Sequence, residues 1–290
     1  MTDAEPPQAT PSVDTPGLPL PLSGATRLYA ILGDPIAQVG SPAAFNAAFR
    51  RLGAPAVLVP VHVTAERLPD LVRGLRALRN LDGFIMTVPH KIAIVDFLDR
   101  VEANGRRVGA VNAIRVERDG EKAVWVGDNF DGVGCVRGLE KAGHALVGKS
   151  VLLVGAGGAG SAVAHALADA GVVRMRVVDT NEGRRTRLAE SLRAHHAALA
   201  VETGAPEPEG FDVAVNCTPL GMRDDDPLPI DPARIRPGTL VVDVVVKTPP
   251  SRLLREAQAR GCPVQGGQAM LEGQIEAILR FFGFAVPQAR

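Results

Sequence analysis

The sequence is poor in cysteine, with only Cys135, Cys217 and Cys262 in 290 residues. Their scatter excludes a disulfide framework and a C-x-x-C metal knuckle, and free thiols fit a reducing cytosol. Net charge is also absent, because 32 Lys and Arg balance 32 Asp and Glu. Without a basic field the chain lacks the electrostatic footprint of a nucleic-acid or anionic-lipid binder. No apolar run approaches the roughly 18–20 residues of a membrane span. The six histidines include no H-E-x-x-H pair, and His195 and His196 fall in a polar helical stretch as surface or packing residues. The N-terminus is acidic at Asp3 and Glu5 with no apolar segment behind it, so no secretory signal is expected. What these absences leave is a cytoplasmic enzyme of small molecules, expected as a monomer or homodimer.

The remaining composition is that of a packed protein. Hydrophobic residues make up 46% and charged residues 22%, enough apolar material for a real core. The length leans towards two domains. Residues 1–25 are expected to be a disordered leader, since six of the 23 prolines fall in the first 24 positions. Strand and helix then alternate, which predicts an α/β protein with mostly parallel sheets. The first strand ends at Gly33-Asp34-Pro35, and Ser41-Pro42 opens a helix with Ser41 as N-cap. Two further strands are expected at 57–63 and 83–86, separated by a helix over 68–78. Thr87-Val88-Pro89-His90-Lys91 leads into another helix. A second series begins near Lys149, with strands at 150–154, 173–178, 213–215 and 240–246 and a last helix over 269–282.

Between the strand at 150–154 and the next helix stands Gly155-Ala156-Gly157-Gly158-Ala159-Gly160. An acidic residue, Asp179, follows about 20 positions later at the end of the next strand, which completes the context of a dinucleotide-binding turn. Gly155 permits the tight turn, Gly157 lets the backbone approach a pyrophosphate, and Gly160 allows helix and strand to pack closely. The phosphates would meet a helix N-terminus, where free N–H groups and the dipole favour negative charge. A carboxylate at Asp179 accepts from ribose hydroxyls and repels a 2′-phosphate, so NAD is preferred. Arg184 and Arg185 stand close enough to keep NADP possible.

Other residues mean little singly. Lys91 alone reads as a solvated lysine opening a helix, and Asp131 as an N-cap before 132–142. Yet the chain carries, in order, Gly33 to Pro42, Thr87-Val88-Pro89-His90-Lys91, Gly109 to Ile114 and Gly127-Asp128-Asn129-Phe130-Asp131-Gly132. After the glycine turn come Asn216-Cys217-Thr218-Pro219-Leu220-Gly221-Met222 and Met270-Leu271-Glu272-Gly273-Gln274. In this order and spacing the sequence resembles the shikimate dehydrogenase family over about residues 27–286. The resemblance implies an N-terminal α/β substrate domain over 26–128 and 267–290, a Rossmann domain over 129–266, and a C-terminal helix returning to the first domain. It also implies reversible hydride transfer between a nicotinamide and a ring carbinol of a small cyclic hydroxy acid. Lys91 and Asp131 match the family's catalytic pair, a fitting choice because the carbinol proton must leave as the hydride does. Ser41, Thr87, Asn112 and Gln274 match substrate-binding positions, and Val244, Gly267 and Met270 match positions near the nicotinamide. No metal is required.

The departures from the family pattern are concentrated at two places. Where members using shikimate carry Ser-x-Ser, this chain has Val39-Gly40-Ser41, and the expected tyrosine after Asp243 is Val246. Ile85 replaces an asparagine and Phe130 a threonine. At the cofactor end the Asn-Arg-Thr of NADP users is Asp179-Thr180-Asn181. The resemblance therefore implies an enzyme to which shikimate is a poor substrate. The competing readings are a dinucleotide-binding sensor without turnover and a dehydrogenase of unrelated substrate. The joint presence of Lys91 and Asp131 favours the enzyme over the sensor, and Asn112 and Gln274 speak against the unrelated substrate.

Overall fold

The computed structural model describes residues 22–120 and 122–286. The leader expected over 1–25 therefore lies mostly outside the described residues. Two six-stranded sheets carry the chain. The first is built from β1 (Arg27–Gly33), β2 (Ala56–His62), β3 (Leu81–Met86), β4 (Arg100–Val101), β5 (Ala113–Asp119) and β6 (Lys122–Asp128). Its order is β2-β1-β3-β5-β6-β4. The β1–β2 and β1–β3 pairs are parallel, whereas β3–β5 and β5–β6 are antiparallel. This mixed sheet departs from the alternating pattern expected of the sequence. The β5–β6 hairpin turns at Gly120, with φ +57°, and needs no intervening helix.

Helices cover both faces of this sheet. Helix α1 (Ser41–Arg51) and the last helix, over Gly267–Phe281, bury Phe45, Phe49, Ile278 and Leu279 against Tyr29, Ile31 and Ile85. On the other face α2 (Leu68–Leu75) and the 3-10 segment Ala93–Phe97 pack Leu68, Val72 and Ile94 against Leu32, Phe84 and Trp125. The segment after Lys91 is thus this short 3-10 turn rather than an α-helix. Ser41 is also not a cap: Gly40 holds that position and no side chain caps α1. The helix starts one residue earlier than Ser-Pro suggested, which leaves the Ser41 side chain, only 8% exposed, to face inward.

After the short α3 (Ala103–Val108) and α4 (Asp131–Lys141), the second sheet begins. It contains β7 (Ser150–Val154), β8 (Arg174–Val178), β9 (Ala200–Thr203), β10 (Val213–Asn216), β11 (Leu240–Asp243) and β12 (Val264–Gln265). The order β12-β11-β10-β7-β8-β9 is parallel throughout and is that of a doubly wound dinucleotide-binding sheet. Its central strands are continuous apolar runs, as strands buried on both faces require. Helices α5 (Gly158–Asp169) and α6 (Glu182–His195) pack with α4 on one face. Helix α7 (Arg252–Ala259) covers the other with Leu253, Leu254 and Ala257. Helix α8 (Gly267–Phe281) joins the halves: Met270 belongs to the second core, and Ile278 and Leu279 belong to the first. It lies so close to α4 that a Cβ on Gly134 would stand 2.4 Å from the Met270 carbonyl oxygen. Among the described residues no helix is long and apolar enough to cross a membrane.

Candidate active site

The parallel sheet reverses its winding between β7 and β10, and a crevice opens there beyond the strand ends, where ligands of such sheets bind. Val154, Gly155, Cys217 and Thr218 line it. Gly155 takes φ +105°, a conformation L side chains rarely adopt, and the chain turns into α5. A Cβ on Gly160 would lie 1.8 Å from the Gly155 carbonyl oxygen, so the helix approaches the strand only without a side chain. Gly157 is the N-cap of α5 and a Cβ there would meet nothing within 4 Å. The turn is therefore an open cradle with first-turn N–H groups behind it, which suits a pyrophosphate. Asp179 follows β8 and accepts from Ala156 N and Asn181 N, each at 2.7 Å. Each carboxylate oxygen keeps a further lone pair for a ribose hydroxyl.

The same cavity, about 1010 Å³, runs without interruption from Asp179 and Arg184 to the edge of the first sheet. Gly155, Gly157, Gly158, Ala159 and Asp179 line it at the dinucleotide end, and Val244, Gly267 and Met270 line its middle. Ala156 and Gly160 do not line it; their parts are the Asp179 contact and the close helix packing. At the far end stand Ser41, Thr87, Lys91, Asn112, Asp131 and Gln274. Arg184 lines the dinucleotide end, whereas Arg185 does not and lies 3.5 Å from Glu182.

Lys91 is held by its own turn. Thr87 N donates to Leu32 O, His90 N to Thr87 O, and Val111 N to Lys91 O, all within 2.8–2.9 Å. Its ammonium reaches Asp131 Oδ2 at 2.5 Å, with the lysine side chain 14% and the aspartate 2% exposed. Asp131 does not cap α4; Phe130 is the N-cap and Asp131 is the first helical residue. Its other oxygen accepts from Asn112 Nδ2 at 2.9 Å, and the same nitrogen donates to Gln274 Oε1 at 2.8 Å. Asn112 Oδ1 in turn accepts from Phe130 N at 2.9 Å. Four segments separate in sequence thus meet in one buried polar network, a geometry in which each partner fixes the next. The pair opens on the same cavity as the glycine turn.

Reading the residues singly missed two supports. Asn129 is fully buried, donates to Ala110 O at 3.1 Å and accepts from Asp131 N at 3.0 Å, which aims the aspartate. Its place inside the Gly127 to Gly132 motif was the available signal. Asp243, also fully buried, accepts from Asn216 Nδ2, Val245 N and Ser251 Oγ, and so shapes the 244–246 segment. Burial raises its carboxyl above the ordinary range, against the three hydrogen bonds that lower it. Nothing in its local sequence separates it from an ordinary strand-end aspartate.

Residues 31–114 match the model of the shikimate dehydrogenase substrate binding domain. A shikimate dehydrogenase (NADP(+)) of Citrifermentans bemidjiense is 36% identical over 274 residues, covering 92% of this chain and 93% of that protein. The enzyme of the same name from Rubrobacter xylanophilus is 39% identical over 254 residues, covering 86% and 88%. Among solved structures, a shikimate dehydrogenase from Aquifex aeolicus superimposes with a TM-score of 0.81 at 30% identity, covering 92% of this chain and 96% of that one. A quinate dehydrogenase from Corynebacterium glutamicum in complex with NAD gives 0.78 at 28% identity, covering 91% and 95%. On sequence, fold and the order of its motifs, the chain belongs to the shikimate dehydrogenase family.

Proposed function

We propose that the chain catalyses reversible hydride transfer between a nicotinamide dinucleotide and a ring hydroxyl of a small polyhydroxylated cyclic substrate, shikimate, quinate or a relative. The observation that carries this reading is the single cavity joining the Lys91–Asp131 pair to the Gly155–Asp179 cradle. The dinucleotide supplies the hydride acceptor or donor when bound. In the oxidising direction the carbinol loses its C–H as hydride, and its O–H proton passes to the neutral amine of Lys91. In the reducing direction the Lys91 ammonium returns that proton to the carbonyl oxygen. Asp131 holds the lysine nitrogen in place and accepts from a neighbouring ring hydroxyl. Asn112 and Gln274 fix the aspartate and offer further polar contacts, and Ser41 and Thr87 line the same end. Val244, Gly267 and Met270 keep water from the reacting carbon.

The alternative, a dinucleotide-binding sensor without turnover, has no use for a buried Lys91–Asp131 pair opening on the cavity. A screen of hydroxylated ring acids and alcohols with NAD and NADP, followed by absorbance of the reduced nicotinamide, tests the reading; no turnover with any of them refutes it.

The preferred dinucleotide is NAD, although the curated relatives bear NADP in their names. Asp179 supports this, since a carboxylate about 4 Å from a phosphate charge costs about 1 kcal/mol in water and about 4 at a protein surface, per unit charge. Arg184, exposed on the same rim, is the residue that would offset it. The expected result is a higher kcat/KM with NAD, narrowed by Asp179→Asn. A clear NADP preference in the wild type overturns it.

A further inference from the structure

The lining of the substrate end divides sharply in chemistry. One part is the network of Lys91, Asp131, Asn112 and Gln274. The other, beside it, is made of Phe45, Ile85, Leu271 and Ile278, all buried, with Val39 and Val246 partly buried. These side chains are contiguous: Val39 packs on the cluster containing Phe45, Ile85 and Ile278. Leu271 and Val246 both crowd Gly40, whose Cβ would stand 3.1 and 3.9 Å from them. Leu271, Gln274 and Ile278 follow one another at helical spacing, so the glutamine is the polar residue in an otherwise apolar strip of α8.

Charge is missing from this wall. Among the described residues lining the cavity the cations are Lys91, held by Asp131, and Arg184, at the dinucleotide end. Lys247 follows Val246 but is tied to Asp224 at 2.8 Å and to Met222 O at 3.2 Å, and is not part of the lining. Gln38 at the rim donates its amide to Pro35 O. A carboxylate seated here would exchange its hydration for apolar carbon and the hydroxyls of Ser41 and Thr87. An uncharged carbon substituent would instead gain about fourfold in affinity per buried methylene.

We propose that the natural substrate is a ring polyol with its reacting hydroxyls against Lys91, Asp131, Asn112 and Gln274 and an uncharged, apolar side against the Val39–Phe45–Ile85–Leu271–Ile278–Val246 wall. The proposal rests on the hydride-transfer reading and narrows its substrate class: free ring acids are disfavoured. Such a substrate is supplied by a reaction that masks or removes the acid group, or that never installs one.

The test compares shikimate and quinate with their methyl esters, each by kcat/KM in the wild type and in the Val39→Thr/Val246→Thr double variant. These replacements keep the side-chain shape and add one hydroxyl each. The wild type is expected to favour the esters by tenfold or more. The double variant is expected to raise kcat/KM for the acids by roughly tenfold per hydroxyl that reaches the carboxylate, and to lower it for the esters, whose apolar side loses carbon contact, so that the ester-to-acid ratio falls. If the variant does not fold, the wild-type ratio alone decides. Acids turned over as well as or better than their esters overturn the proposal. Silence of all four compounds also overturns it. In that case turnover of any other hydroxylated ring leaves the hydride-transfer reading standing, whereas its absence across the panel removes that reading too.

Discussion

Asp131 and Asp243 are both buried carboxylates at the end of a strand or loop, and each is bonded to an asparagine side chain. They nevertheless do different things. Asp131 faces the cavity and holds an ammonium at 2.5 Å, the contact on which the proposed proton transfer rests. Asp243 is closed off from the cavity lining and its partners are an amide, a backbone N–H and a hydroxyl, which only tie segments together. Burial alone therefore does not mark the reacting group. A buried charge needs an opposite charge and an opening towards a ligand before it becomes chemistry.

The largest effect should come from breaking the Asp131 side of this comparison. Lys91→Ala is expected to lower kcat by about 10²–10⁴-fold, the usual contribution of a general acid–base group. Dinucleotide Kd, read by fluorescence titration, should change little because the cradle lies at the other end of the cavity. A variant retaining near-full kcat removes Lys91 from the mechanism.

His165 sharpens the rule, being a fully buried ionisable group on α5 that has no opening to the cavity. Its ring nitrogens meet His196 Nε2 at 3.0 Å and Ser191 Oγ at 3.1 Å, with Arg107, His195 and Asp169 also near. Burial first, then the Arg107 charge, pushes its pKa down from 6.5 to about 4. The folded state thus refuses a proton that the unfolded state accepts. Stability from this group is complete above pH 6.5 and falls as pH drops towards 4, by about 3 kcal/mol in total. Thermal unfolding against pH should show His165→Gln with a flatter profile than wild type over that window. An unchanged slope would mean the ring is not kept neutral.

A smaller change tests the packing behind the network. Gly134→Ala places a methyl 2.4 Å from Met270 O and 2.9 Å from Gln274 Cβ. Overpacking of this kind costs about 1–3 kcal/mol, and pushing α8 away loosens the Gln274–Asn112 bond. Both Tm and KM are expected to worsen; a lower Tm with unchanged KM would show that the shift does not reach Gln274. The smallest effect is expected from Asp243→Asn, which keeps an acceptor for Asn216 and Val245 and should leave kcat near wild type. Because burial raises the Asp243 pKa, the wild-type carboxyl contributes most at low pH and loses stability as pH rises through that pKa. The stability difference should therefore move in favour of the asparagine variant as pH increases.

Much of this was written locally in the chain. The turn at Gly155–Gly160 and Asp179 could be placed from sequence, because a positive φ, a missing Cβ and a strand-end carboxylate are properties of neighbouring residues. The parallel strands of the second sheet were legible for a similar reason, as short apolar runs punctuated by glycine. Lys91, Asp131, Asn112 and Gln274 could be named only as a set in family order; singly, Asp131 suggested a helix cap that the structure assigns to Phe130. The β5–β6 hairpin and the aiming of Asp131 by Asn129 were decided by tertiary structure alone. Of the apolar lining beside the network, Val39, Ile85 and Val246 stood out in the sequence only as departures from the family pattern; that Phe45, Leu271 and Ile278 join them was decided by the fold, since each of these reads locally as ordinary core. Local backbone geometry is dictated by adjacent residues. The chemistry of a cavity depends on which distant segments the fold brings face to face and which of their side chains it leaves without a charge.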